Sequence, residues 1–295
     1  MLTNNQRKML TGLPVGLAMR RHPLRLSLQR DLDAAISSLI KFKINAALIN
    51  DPDKDSDLGV ISKTDLMTLY YAGLALHTPL AEVYVSPLVA MGEEATLESA
   101  LSRMQGQGVK RVYVRDSEWG EITGVLSHAD IVGLLYRYCC RCETRASRSA
   151  EGMDQDEFLL VRDVMRQDVV SCDPEQSIEE VLEILSAQPI SALLVQEGHG
   201  GLPGAVSKTD LILAYRHGLP LQSSIREVAS FPVLGCSVEE PLVRALRRMI
   251  MTDVQRLFVH SPEDPHRIQG VLSLTDAARA RSGSCRACSA SRIEG

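Results

Sequence analysis

Apolar positions recur at helical spacing in four places along the chain, and each time a short apolar strand follows. Leu32, Ala35, Ile36, Leu39 and Ile40 form the first series; Leu97, Ala100, Leu101 and Met104 form the second. Ile178, Val181, Leu182 and Leu185 make the third, and Leu242, Ala245, Leu246 and Met249 the fourth. Residues three and four apart share one helix face, so each series predicts an amphipathic helix with one buried stripe. Ser177 and Glu180 stand where a capping box would open the third helix. The strands read AALI at 46–49, RVYV at 111–114, ALLV at 192–195 and RLFV at 256–259. Polar, turn-rich stretches come next, such as DPDKDSD at 51–57 and HSPEDPH at 260–266, and read as hairpin loops.

One short pattern then closes each unit: Gly, two apolar residues, Ser, two variable residues, Asp. It reads GVISKTD from Gly59, GVLSHAD from Gly124, GAVSKTD from Gly204 and GVLSLTD from Gly270. The apolar part makes a second strand, and a second helix starts at the Ser. The predicted class is α/β, built from four strand–helix–strand–strand–helix units. A unit of about 60 residues buries too little surface to stand comfortably alone, so pairing is expected. The signature glycines lie 65, 80 and 66 residues apart, which groups the units into two close pairs. The first module is expected over 1–142, with units at about 10–75 and 79–140. The polar stretch ETRASRSAEGMDQDE at 143–157 reads as a linker. The second module follows over 158–284, with units at about 158–220 and 222–282, and a Cys-containing tail at 285–295.

Two readings of the repeated S-x-x-D stand side by side. Ser with an acidic residue three positions on is a helix N-terminal cap, and a cap alone explains any one copy. The second reading uses the same geometry for binding. A helix start offers free backbone N–H groups to an anion, the Ser hydroxyl can join them, and an outward Asp can accept hydrogen bonds from vicinal ribose hydroxyls. Phosphate donors beside a diol acceptor describe a nucleotide site with no catalytic pair.

The unit, its element order and the G-h-h-S-x-x-D signature resemble the CBS (cystathionine-β-synthase) domain, two of which pack into a Bateman module. The resemblance runs over roughly residues 10–282 and recurs four times. It implies a ligand-sensing regulator that binds AMP, ADP, ATP or S-adenosylmethionine. It also implies the contacts: Ser62 and Asp65, Ser127 and Asp130, Ser207 and Asp210, and Ser273 and Asp276 would hold phosphate and ribose. Odd and even copies differ at the start of the middle strand. Lys110-Arg111 and Gln255-Arg256 stand in the second and fourth, Asn45-Ala46 and Ser191-Ala192 in the first and third. This alternation is similar to that of the γ subunit of AMP-activated protein kinase, which implies Arg111 and Arg256, with Lys110 beside them, as phosphate ligands. An ordinary surface charge is the other account of these residues.

Five of the seven cysteines fall in YCCRCE at 138–143 and SCRACS at 284–289. Cys139 and Cys142 follow Asp130 by 9 and 12 residues, as Cys285 and Cys288 follow Asp276. Four thiolates in two Cys-x-x-Cys pairs are the ligand set of zinc or an iron–sulfur cluster, or support redox switching. A metal- or redox-responsive structural protein is therefore the alternative function, and idle duplicated thiols a third account. Cys172 and Cys236 flank strands and read as packing residues.

Composition narrows the partners. A net charge of -5 and only 4% aromatic residues argue against nucleic acid. The first residues, MLTNNQRKML, lack the apolar run of a secretory signal. No stretch reaches the roughly 20 apolar residues that cross a bilayer. The odd cysteine count fits reduced thiols, and the chain is expected in the cytoplasm. No nucleophile has a plausible base nearby, so the chain is read as a non-enzyme. Its output would pass through an effector protein in trans or through a homodimer.

Overall fold

The computed structural model describes residues 12–116, 118, 120–132, 160–188, 190–196, 202–252 and 254–281. After β1 (Arg20–Arg21), one element order recurs four times. The first pass is β2 (Arg25–Ser27), α1 (Leu32–Lys41), β3 (Ala46–Asp51), β4 (Ser56–Ser62) and α2 (Lys63–Tyr71). The second is β5 (Ala90–Gly92), α3 (Leu97–Gly106), β6 (Arg111–Arg115) and β7 (Ile122–Ser127), with helix described on to 132. The third is β8 (Ser171–Cys172), α4 (Ile178–Ala187), β9 (Ala192–Val195), β10 (Gly204–Ser207) and α5 (Lys208–Arg216). The fourth is β11 (Gly235–Ser237), α6 (Leu242–Met251), β12 (Arg256–His260), β13 (Ile268–Ser273) and α7 (Leu274–Arg281).

In each pass the first strand runs parallel to the second, across the helix, and the hairpin pairs the second antiparallel to the third. The apolar stripes read from the sequence are the buried faces: Leu32, Ala35, Ile36 and Leu39 on α1, and Ile178, Val181, Leu182 and Leu185 on α4, are all inaccessible or nearly so. The capping box at Ser177 and Glu180 forms, with Ser177 Oγ accepting from Glu180 N at 3.2 Å and Glu180 Oε2 accepting from Ser177 N at 2.7 Å. β9 and β10, which flank the Gly-rich stretch, pair antiparallel, and residues 197–201 between them lie outside the described residues.

The repeats exchange their leading segments. Residues 14–21 precede the first repeat, yet β1 pairs with β7 of the second, Arg20 opposite Val125 and Arg21 opposite Gly124. Val85, leading into the second repeat, pairs with Val60 of the first. Arg166, ahead of the third, pairs with Val271 of the fourth, and Ser230, ahead of the fourth, pairs with Ala205 of the third. In every case the borrowed residue stands opposite the position after the signature glycine. The glycine is needed because the borrowed segment passes directly over it. A Cβ at Gly270 would lie 2.8 Å from Arg166 O and 2.8 Å from Met165 Sδ. A Cβ at Gly59 would collide with Tyr84 and the Val85 carbonyl, one at Gly124 with Met19, and one at Gly204 with the Phe231 ring.

The chain divides into two compact units, and these join alternate repeats where the spacing of signatures grouped adjacent ones. One comprises the described parts of Met1–His22, Val89–Asp168 and Gly235–Gly295; the other comprises Pro23–Leu88 and Val169–Leu234. In the second of these, the cores of the first and third repeats merge into one cluster that includes Ile36, Leu66, Leu182 and Leu211. Tyr70 and Tyr215 stack there with ring centroids 4.7 Å apart. Each hydroxyl donates to a backbone carbonyl of the other repeat, Tyr70 to Leu219 at 2.6 Å and Tyr215 to Leu74 at 2.5 Å. Burial pushes the Tyr70 hydroxyl up to about 12. Among the described residues, the unit of the second and fourth repeats has one cluster around Leu97 and Leu126 and another around Leu246 and Leu272, which Val132 of the second repeat joins.

The glycine contacts give a direct check. Gly59→Ala and Gly270→Ala meet backbone oxygens that cannot step aside, and each should lower unfolding stability by about 1–3 kcal/mol. Gly106→Ala, in open space at the end of α3, should be neutral or stabilising by up to about 1 kcal/mol. Denaturant unfolding of the three variants distinguishes these outcomes.

Candidate ligand-binding site

Each signature Ser ends its strand at a helix start, and Ser62, Ser207 and Ser273 Oγ accept from the backbone N–H of Asp65, Asp210 and Asp276 at 3.4, 3.4 and 3.2 Å. Ser62 sits at φ −122°, ψ 166° and Ser207 at φ −114°, ψ 166°. The Asp completes the cap from the other side. Asp65 Oδ2 accepts from Ser62 N and from Ser62 Oγ, both at 2.7 Å, and Asp210 Oδ2 accepts likewise from Ser207 at 2.7 Å. Asp130 Oδ2 accepts from Ser127 N at 2.8 Å and Ser127 Oγ at 2.6 Å; Asp276 Oδ2 accepts from Ser273 Oγ at 2.5 Å. In all four copies, one carboxylate oxygen turns back onto its own helix start. A grip on a diol by both oxygens of an outward carboxylate is therefore not the geometry present. The oxygen left for a ligand is Oδ1. At Asp65 and Asp210 it takes no hydrogen bond or ion pair among the described residues; at Asp130 it is 2.7 Å from Arg20 Nε.

The basic residues stand where the odd–even alternation placed them. Arg111 at the start of β6 is the ladder partner of Ser127, and Arg256 at the start of β12 is the partner of Ser273. Directly opposed residues of an antiparallel pair share a sheet face with Cβ atoms roughly 5 Å apart, so each Arg and its signature Ser are neighbours. In the other unit the same positions are Ala46 opposite Ser62 and Ala192 opposite Ser207. Partial burial pulls Arg256 down to about 10; Asp276 opposes that shift and Arg166 adds to it. Lys110 is also lowered, by loss of water around its ammonium and then by the charges of Arg256 and Arg111. The residue as a whole remains exposed. Lys110, Arg111, Arg166 and Arg256 thus form a concentration of positive charge in a chain of net charge -5.

The unit of the first and third repeats has a different centre. Lys63 Nζ donates to Thr209 Oγ1 at 2.8 Å and Lys208 Nζ to Thr64 Oγ1 at 3.0 Å, a reciprocal pair across α2 and α5. A cavity of about 310 Å³ lies at the far ends of these helices, lined by Tyr70, Leu74, Leu76, Tyr215, Leu219 and Leu221. It is about 13 Å, one helix length, from Ser62 and Ser207, and belongs to the tyrosine stack and not to the signatures.

Several residues beside the signatures escaped the sequence reading: Met19, Tyr84, Met165 and Phe231 over the glycines, and Arg20 and Arg166 next to two of them. Met19-Arg20 and Met165-Arg166 repeat at one spacing, 146 residues apart, and that duplication was the available signal. Cys139, Cys142, Cys285 and Cys288 lie outside the described residues, as does the 143–157 stretch. Among the described residues no cluster of three or more His, Cys, Asp or Glu could hold a metal ion. Cys172 and Cys236 are buried, and burial pushes their thiols up to about 11 and about 12, as suits packing residues. No helix among the described residues is long and apolar enough to cross a membrane.

The sequence matches the CBS domain over residues 80–137, 161–217 and 225–283, more than half its length. The chain belongs to the CBS domain family. Among relatives, protein sds23 of Neosartorya fischeri is 24% identical over 300 residues, covering 86% of this chain and 54% of that protein. Protein sds23 of Aspergillus clavatus is 28% identical over 198 residues, covering 61% of this chain and 36% of that one. This CBS chain spans about half the length of the curated relatives it matches, or less. Among solved structures, protein MJ1225 of Methanocaldococcus jannaschii, a proposed archaeal homolog of g-AMPK, has a TM-score of 0.74 at 14% identity, over 90% of this chain and 99% of that one. An uncharacterized conserved protein from Pyrococcus horikoshii has a TM-score of 0.57 at 16% identity with the same coverage. At these identities the shared property is the CBS fold.

The cap has a stability consequence separate from any ligand. Ser207→Ala removes an acceptor for Asp210 N and a donor to its carboxylate, and should cost about 1 kcal/mol, within a range of about 0.5–2. Ser171→Ala, at an exposed position on β8, should change stability by less than about 0.5 kcal/mol. Chemical denaturation of the two variants makes the comparison.

Proposed function

We propose that this CBS chain is a ligand-sensing regulator that binds adenine nucleotides (AMP, ADP or ATP) or S-adenosylmethionine at its signature helix starts and signals to a partner protein in trans. On this reading the residues over 25–71 are a fourth CBS repeat, and adjacent repeats act as Bateman modules within 1–142 and 158–284. The chain acts by binding and not by catalysis. The observation that carries the proposal is the placement of Arg111 and Arg256 directly across the ladder from Ser127 and Ser273. Each puts a fixed positive charge beside a hydroxyl, a helix start and a carboxylate.

The division of labour follows from charge and shape. Phosphate oxygens go to the Arg guanidinium and Lys110, and to the Ser hydroxyl once it turns its one proton from Asp Oδ2 to the phosphate; like charges that lower one another's proton affinity are relieved by an anion between them. The ribose goes to Asp Oδ1, leaving Oδ2 to hold the cap. The base lies against the thioether or ring that covers the signature glycine. The likeness of fold to a proposed archaeal homolog of g-AMPK agrees with this assignment.

Titration calorimetry with AMP, ADP, ATP and S-adenosylmethionine tests it. At least one of the four should bind with measurable heat. Asp65→Asn and Asp210→Asn, which keep an acceptor for the cap, should each weaken their local site about tenfold, the loss of one charge-assisted bond of about 1.5 kcal/mol. Arg256→Ala should weaken ATP binding about tenfold or more and S-adenosylmethionine binding less. Absence of binding by all four ligands overturns the proposal.

A further inference from the structure

Asp130 differs from the other signature carboxylates. Its Oδ2 holds the cap as they do, but its Oδ1 lies 2.7 Å from Arg20 Nε, and the Asp130 side chain keeps only 10% of its exposure. Arg20 is not a loose surface chain that happened to reach this point. Its backbone is fixed in β1, opposite Val125, and the preceding Met19 packs on Gly124. The residues at the same register in the other repeats are Val85 opposite Val60, Ser230 opposite Ala205 and Arg166 opposite Val271. The arginine is therefore a feature of the unit that joins the second and fourth repeats, and the other unit has neutral residues there.

We infer that Arg20 makes the second-repeat site selective for phosphorylated adenosine ligands over adenosine itself and S-adenosylmethionine. The inference rests on the reading that Asp130 is the ribose acceptor. A diol can take Asp130 Oδ1 only by displacing the guanidinium. A neutral nucleoside offers the displaced cation nothing, and a sulfonium ligand brings a second positive charge to the same place. A nucleotide brings its own anion. The guanidinium exchanges a carboxylate for a phosphate and keeps a charge-assisted, fork-shaped contact throughout. Arg20 retains 54% of its side-chain exposure, so solvent screens the pair and the guanidinium has room to turn toward a ligand. Val85 and Ser230 supply no such charge, so the first and third repeats lack this filter.

The test is calorimetry on the full chain with AMP and adenosine, using Asp130→Asn to identify the binding event of the second repeat. The parent should show AMP at that event about tenfold or more tighter than adenosine. Arg20→Met, similar in length and uncharged, should bring the ratio to within about threefold, with the event sensitive to Asp65→Asn unchanged. Arg20→Lys, which keeps the charge, should retain most of the preference. An unchanged ratio in Arg20→Met, or an equal loss in Arg20→Lys, overturns the selectivity role while leaving the ribose reading intact. If Asp130→Asn leaves every AMP event as it was, the ribose reading fails at this site and the selectivity role with it.

Discussion

A helix start leaves its first backbone N–H groups without partners, and in this chain an Asp three residues beyond the signature Ser answers that need. The answer uses one carboxylate oxygen and leaves the other. Everything distinctive about the four sites follows from what is arranged around the second oxygen. At Asp65 and Asp210 no side chain among the described residues takes it. At Asp130 an arginine does. At Asp276 a partly buried Arg256 lies close enough for the carboxylate to act on it, and Arg256 also feels Arg166. On the proposed function, cap and ligand acceptor are two halves of one carboxylate, and a structural motif would serve binding without ceasing to be structural.

The signature glycine links that site to the exchange of segments. Without a Cβ, the strand lets a neighbouring stretch of chain pass over it within contact distance, and that stretch brings in the wall of the site. Because the stretch comes from ahead of a different repeat, no repeat would build its proposed site alone. Met19 and Arg20 complete the second repeat, Tyr84 and Val85 the first, Met165 and Arg166 the fourth, and Phe231 the third. Sites that look identical in their G-h-h-S-x-x-D are made different by what is laid across them.

Much of the fold was legible because it is local. The helical stripes, the hairpins, the Ser177–Glu180 cap and the opposition of Arg111 and Arg256 to the signature region all depend on residues close in sequence or on a pattern repeated four times. The committed carboxylate oxygen was legible too, since S-x-x-D is a capping signature before it is anything else. The exchanged segments were not. They are two-residue strands and single bridges, too short for periodicity, and they pair with residues 25–105 positions away. Arg20 sits on such a segment, in a run of charges, and only its partner gives it meaning. The joining of alternate repeats into compact units was hidden for the same reason: signature spacing measures distance along the chain and carries no information on which repeats share a core.

The two units also differ in how they would respond to an anion. In one, the first and third repeats share a continuous core, a tyrosine stack and reciprocal lysine–threonine bonds. These contacts use no ligand. In the other, Val132 of the second repeat packs into the core of the fourth, and Arg256 lowers the proton affinity of Lys110. Repulsion between like charges disfavours that approach, and a phosphate between them reverses the sign of the interaction. On the proposed function, ligand energy is best spent where the two arrangements differ most in free energy without it. On that proposal the cationic unit, where like charges repel in the absence of an anion, is the part expected to respond.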